Sequence, residues 1–184
     1  VPQDGLILPS ETLRFNIDPE LSAADELLVT ALTKVGVWSH FCNDRLEVDE
    51  PPVPVDGVSY THPILDQNMS AFPQLSEGQY QIFALCRALV KGSTLRVAGI
   101  RPVVLLDELT SSVDAETEST IHRIIDGEFT ANGHTVITIA HKLGNLENYM
   151  RSGRDLLVML ADGRLLETVD NFDVATLARF RDVE

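Results

Sequence analysis

The chain has 184 residues, 44% hydrophobic and 23% charged, a globular composition long enough to bury a sizeable core and unlike that of a disordered segment. Its 14 basic and 28 acidic residues leave a net charge of −14, which argues against a broad nucleic-acid-binding surface but not against one nucleotide held in a local cradle. Two cysteines, Cys42 and Cys86, are too few for a disulfide scaffold and lack zinc spacing, so a reducing, cytosolic setting is expected.

No apolar run approaches the roughly 18–20 residues of a membrane span, and no signal peptide is visible, so the chain by itself is expected to be soluble. It opens on Val1, and its first methionine is Met69, which reads as a piece of something longer.

In chain order, residues 1–20 are turn-rich, with Pro2, Gly5, Pro9 and Pro19. Residues 21–38 predict a helix, with Ser22 and Asp25 as a capping-box variant and Leu27, Leu28, Ala31, Leu32 and Val35 on one face. Residues 43–74 carry Pro51, Pro52, Pro54, Gly57, Pro63 and Pro73 and predict a long irregular stretch, of a kind that is usually functional or mobile. A second helix is predicted over roughly 76–91. Residues 101–108, RPVVLLDE, read as a strand buried on both faces. The next helix starts at Asp114 as N-cap, with Glu116 and Glu118 suited to the helix dipole in its first turn. Residues 134–141 read as a strand ending in His141, residues 154–168 as a hairpin about Asp162-Gly163, and residues 171–182 as a terminal helix. Strand, helix and strand in succession predict an α/β core.

In open α/β sheets, ligands bind beyond the carboxyl ends of the strands. One strand here ends in Asp107 and Glu108. Neighbours on a strand point to opposite sides, so one carboxylate can serve a Mg²⁺ ion and the other an attacking water. Taken alone, the pair is also what a solvated turn presents. His141 at the second strand end can donate to a phosphate, and it can equally be a structural histidine. His40, His62, His122 and His134 read as surface or packing residues.

The pentapeptide Leu75-Ser76-Glu77-Gly78-Gln79 enters a helix. The unpaired N–H groups and positive end of a helix attract anions, Ser76 can cap the helix and donate to a phosphate, and Gly78 removes a Cβ that would block close approach. An ordinary serine cap before an amphipathic helix is the plainer alternative.

Together, Gln3, LSEGQ, VVLLDE, SSVD and TIAHK, in that order, resemble the nucleotide-binding domain of ATP-binding-cassette (ABC) transporters. The resemblance covers essentially the whole chain. In it, Gln3 looks like the Q-loop glutamine and Leu75 to Gln79 like the signature motif. Val103 to Asp107 look like the Walker B strand, with Glu108 as the catalytic glutamate. Ser111 to Asp114 look like the D-loop, and His141 like the switch histidine. The segment ETLRFNIDP, residues 11–19, and TSSVDAETE are similar to the C subfamily, the multidrug-resistance-associated transporters, at their second nucleotide-binding domain.

The fold this resemblance implies is α/β: a partial P-loop NTPase (RecA-like) core with an inserted α-helical subdomain. Residues 1–92 would hold the Q-loop and the helical subdomain, and residues 93–184 the partial core. The implied cofactors are ATP and Mg²⁺, with Gln3 and Asp107 toward the metal and Glu108 and His141 catalytic. Gln3, Ser76, Glu77, Gly78, Gln79 and Asp114 would lie against nucleotide. The implied partners are a second nucleotide-binding domain packed head to tail and the membrane domains of the same transporter, with no nucleic acid. The parent protein would be membrane-associated at the cytosolic face.

The sequence also departs from the family pattern. No G-x-x-x-x-G-K-[ST] occurs, and that loop supplies the main grip on the β- and γ-phosphates. ATP hydrolysis is therefore expected of the parent protein. For these 184 residues alone the expectation is a non-enzymatic fragment that binds ATP weakly, is incompletely stable and acts through a partner. Leu109 stands where the family has alanine, and Lys142 where arginine is common. The segment from Gln3 to Thr12 is one residue longer than usual. DNA-repair ATPases share much of this motif set, but they carry a coiled-coil insertion, and residues 21–74 show no heptads.

Overall fold

In a computed structural model, which describes residues 1, 6–42, 62–110, 113–140, 149–171, 173 and 176, the turn-rich opening winds into a short helix, α1 (Leu13–Ile17). Thr12 caps it, its Oγ1 accepting from the Phe15 N–H at 3.1 Å. Asn16, 1% exposed, pins the preceding loop by exchanging hydrogen bonds with the Leu8 backbone at 2.8 and 2.9 Å.

Helix α2 (Asp25–Lys34) begins later than the sequence suggests, and Ser22 does not cap it. The Asp18 carboxylate takes the N–H groups of Ser22 and Ala23 at 2.6 and 2.7 Å, holding the chain in a turn, and Ala24 becomes the N-cap. Leu28, Ala31, Leu32 and Val35 are buried as the helical spacing predicts, and Leu27 is half-buried. Gly36, at φ 82, ends the helix before a single turn, α3 (Trp38–Phe41). Within the predicted irregular stretch, the described residues form two 3₁₀ turns, Pro63–Asp66 and Met69–Ala71.

Helix α4 (Glu77–Val97) runs past the predicted end near residue 91. Gly92 does not stop it, and the left-handed Gly99, at φ 77, follows its last turn. Phe83, Leu85 and Cys86 of α4 are buried with Leu13, Ile17, Leu28, Leu32, Phe41, Ile64 and Leu65 in one cluster. Removing a side chain such as Phe83 from water stabilises such a core by about 1.5–3 kcal/mol.

Strand β1 (Val104–Asp107) pairs in parallel with β2 (Val136–Ile139), from Val104 opposite Val136 to Asp107 opposite Ile139. The crossover is helix α5 (Ala115–Ile124), which continues as a π-helical segment, Ile125–Thr130. The wide turns of that segment bring Phe129 into the core, and Gly133, at φ 78, ends it.

The prediction that β1 is buried on both faces does not hold. Leu106 is 1% exposed and Leu105 58%, because the core lies against one face only. Val103, Leu105, Ile137 and Ile139 stay exposed.

The chain divides into two compact units, Val1–Ile139 and Ala140–Glu184. In the second unit, β3 (Leu157–Ala161) and β4 (Arg164–Val169) form the predicted antiparallel hairpin. Asp162 at φ 49 and Gly163 at φ 70 make the mirror-image turn whose twist suits paired strands. Most of the predicted terminal helix, residues 171–182, lies outside the described residues. Asp173 there accepts from the Thr176 N–H at 2.7 Å. The mixed α/β fold is the expected class.

Candidate functional site

The end of β1 is built by the strand and its neighbours. Asp107 is the last residue of the ladder, on the exposed side of the alternation that buries Leu106. Its N–H donates to the Val1 carbonyl at 3.0 Å, and the Glu108 N–H donates to the Ile139 carbonyl at 3.0 Å. Val1 and the end of β2 therefore both reach the strand at its carboxyl edge.

Glu108 itself has left the strand. Its φ is 46, in the left-handed region where a Cβ is crowded, so strand alternation no longer decides where its side chain points. Such a backbone costs about 1–3 kcal/mol and persists where its surroundings over-determine it. The surroundings here are the Ile139 hydrogen bond on one side and Leu109, 2% exposed and locked in the core, on the other. Leucine at position 109 thus anchors the residue after the bend.

The N-terminus of α4 is closed by a reciprocal capping box. The Ser76 N–H donates to Gln79 Oε1 at 2.9 Å, and the Gln79 N–H donates to Ser76 Oγ at 3.2 Å. That arrangement uses a lone pair of Oγ, and the hydroxyl hydrogen is a separate donor. Ser76 and Glu77 are exposed, so the acidic side chain lies on the outside of the tip. Gly78 is half-buried. A Cβ built on it would lie 2.8 Å from Thr117 Cγ2 and 3.0 Å from Thr117 Oγ1, so the first turn of α4 is seated directly on the first turn of α5.

Asp114 caps α5. Its Oδ1 accepts from the N–H groups of Glu116 and Thr117 at 3.0 Å each, and its Oδ2 accepts from Thr117 Oγ1 at 2.9 Å. The Thr117 backbone bond, followed by the Thr117 hydroxyl, holds this carboxyl below its ordinary pKa.

Gln3 and His141, the other two predicted site residues, lie outside the described residues, as do Ser111 and Ser112 of the D-loop-like stretch. The structure thus brings Asp107 and Glu108 together at one sheet edge, and joins the Ser76–Gln79 tip to the Asp114 cap through Thr117. Thr117 is the residue that sequence reasoning missed, although Asp-x-x-Thr at a helix start is a legible capping pattern. The Ser-x-x-Gln capping box was equally legible.

Among the described residues, no group of three or more His, Cys, Asp or Glu could hold a metal ion, and no helix is long and apolar enough to cross a membrane. A cavity lined by Lys34, Arg96, Glu128 and His134 contains none of the predicted site residues.

No protein-family model matches the chain. It is 32% identical over 167 residues, 91% of its length, to an ABC-type transporter of Gibberella zeae. It is 33% identical over 167 residues, again 91% of its length, to the multidrug resistance protein mrp-7 of Caenorhabditis elegans. The chain belongs to the ABC transporter family. It is 30% identical over 167 residues, 91% of its length, to the ABC transporter C family MRP4 of Zea mays. This ABC-family segment spans 9% of the length of each of these relatives. In fold it is similar to a bacterial Atm1-family ABC exporter solved with ATP bound, at a TM-score of 0.63 and 24% identity, covering 97% of this chain and 27% of that one.

Proposed function

We propose that this segment is part of a nucleotide-binding domain, the second in a C-subfamily transporter, that binds and hydrolyses ATP to drive a solute across a membrane. The observation that carries the reading is the edge of β1, where an exposed Asp107 is followed by Glu108 at φ 46 beyond a parallel strand. A carboxylate carried on a strained backbone in that position is the kind of feature that accumulates at reacting centres. The chain-order motifs and the transporter relatives support the same reading.

Mg²⁺ takes one or two carboxylates with phosphate oxygens and waters, and an exposed strand-end carboxylate is a donor of that kind. Asp107 and Gln3 would hold the ion, which when bound neutralises charge on the β- and γ-phosphates. Glu108 orients a water and takes its proton as the water oxygen bonds to the γ-phosphorus and the bond to the departing ADP oxygen breaks. His141 donates to the γ-phosphate.

The Ser76 hydroxyl, the Gly78 backbone and the first N–H groups of α4 close over ATP held by the P-loop of a second nucleotide-binding domain, packed head to tail. Gln79 keeps that turn wound through the capping box, Glu77 faces outward, and Asp114 lies at the interface between the two domains. Gln3 couples closure to the membrane domains, at the cytosolic face. In this division of labour, residues 1–92 carry coupling and the signature tip, and residues 93–184 carry the hydrolytic edge.

The test is Glu108→Gln in the full-length parent protein. Turnover should fall by about 10²–10⁴-fold, the range for loss of a positioned base, while ATP binding is retained. Hydrolysis at the wild-type rate refutes the assignment.

A further inference from the structure

The geometry points to Thr117 as a positioning residue that seats the signature tip, and to Gly78 as a glycine because of Thr117. The inference deepens the nucleotide-binding reading and rests on it for its functional half.

A glycine at the mouth of a phosphate-binding helix is ordinarily explained by the ligand. Here a closer constraint exists within the chain itself. A Cβ on Gly78 would meet Thr117 Cγ2 at 2.8 Å, Oγ1 at 3.0 Å and Cβ at 3.4 Å. Real Cβ atoms essentially never approach a neighbour to 2.8 Å, so one helix would have to move.

Thr117 cannot easily swing away. Its hydroxyl donates to Asp114 Oδ2 at 2.9 Å and its N–H to Asp114 Oδ1 at 3.0 Å, so its rotamer is tied to the cap of α5. Its β-branched side chain adds stiffness at χ1. On the other side, Gly78 lies inside the Ser76–Gln79 capping box and moves only with that turn. The Ser76 tip and the Asp114 cap are therefore one mechanical piece with the Gly78–Thr117 contact as its joint. On the proposed reading these two places face the partner domain, so their spacing decides how the tip meets the partner's nucleotide.

The experiment is a double-substitution cycle in the full-length transporter: Gly78→Ala, Thr117→Ala and both together. Readouts are kcat and the KM for ATP, with rates normalised to folded protein. KM does not depend on how much protein is folded, so a purely structural defect leaves it unmoved. Gly78→Ala should lower kcat/KM by about tenfold or more, with a raised KM. The pair should regain about tenfold over Gly78→Ala alone, because Thr117→Ala removes the atoms at 2.8 and 3.0 Å and leaves only an ordinary contact. Thr117→Val keeps Cγ2 and puts a methyl in place of the hydroxyl, so both crowding positions stay filled and it should not rescue.

Wild-type kinetics in Gly78→Ala would overturn the inference. So would a double variant as impaired as Gly78→Ala, which would assign the glycine to the approach of nucleotide and leave the signature reading standing. Rescue by valine equal to that by alanine would also overturn it. Failure of the underlying reading appears elsewhere, as undiminished hydrolysis in Glu108→Gln.

Discussion

Asp25→Ala should be among the most damaging single substitutions in the first unit, although the sequence marks the residue only as part of a capping-box variant. Asp25 is 6% exposed and accepts from both Arg14 Nη atoms, the second at 3.0 Å, and from the buried His62 N–H at 2.7 Å. Removing the carboxylate takes away the acceptor the His62 N–H has at 2.7 Å, in a residue only 2% exposed, and losing such a buried bond costs about 1–3 kcal/mol. Among the described residues, it also leaves the Arg14 guanidinium with the exposed Asp66 alone, at 2.9 Å. Breaking a buried pair costs about 3–5 kcal/mol, but the Arg14 side chain is 20% exposed and recovers some hydration, so the total falls at about 2–4 kcal/mol. With an m-value of about 2 kcal/mol per molar urea, the unfolding midpoint should drop by about 1–2 M. Trp38, the single tryptophan, meets the His62 ring edge-on at 4.9 Å, so its fluorescence reports this cluster during urea unfolding. Asp25→Asn keeps an acceptor for His62 and should lose less. A midpoint shift below about 0.3 M for Asp25→Ala would refute the reasoning.

Two histidines set a pH dependence, one of them in this cluster. Burial lowers the pKa of His62 and of His122 below 6.5, against the pull of Asp25 and Glu118 respectively, so the unfolded chain binds protons before the folded one does. Stability should be complete above about pH 6.5 and fall as pH drops below it; urea midpoints at pH 7.5 and 5.5 measure this, and His62→Asn should flatten the difference. Burial pushes the Asp25 carboxyl up, but the hydrogen bonds from Arg14 and the His62 N–H outweigh it and hold it below 3.8, so its contribution is present above that pH and lost as pH falls through the depressed value. Ser76→Ala removes one half of the α4 capping box and should cost about 1 kcal/mol in thermal or urea unfolding, with Ser76→Asp restoring most of it. Leu106→Ala, at a position 1% exposed, should cost about 2–5 kcal/mol, whereas Leu105→Ala, at 58% exposed on the other face of the same strand, should cost far less; equal losses would contradict the one-sided burial of β1.

Local rules acting on neighbouring residues carried much of this protein in the sequence itself. The Asp162-Gly163 hairpin turn, the Asp114 cap and the apolar stripe of α2 were legible because turn chemistry, capping and helical period depend on residues a few positions apart. Each motif was legible because it is a short run of neighbouring residues, and their order along the chain pointed to the ABC family.

What needed the tertiary structure was every feature whose cause lies far along the chain. The apolar run of β1 looked doubly buried, because hydrophobicity along a strand does not say how many layers cover it. The left-handed bend at Glu108 is held by a backbone bond to Ile139 of β2, 31 residues later, and by the burial of Leu109 in the core. The need for glycine at position 78 is set by Thr117, 39 residues later in the chain, because sterics act between surfaces and a sequence records only neighbours along one line.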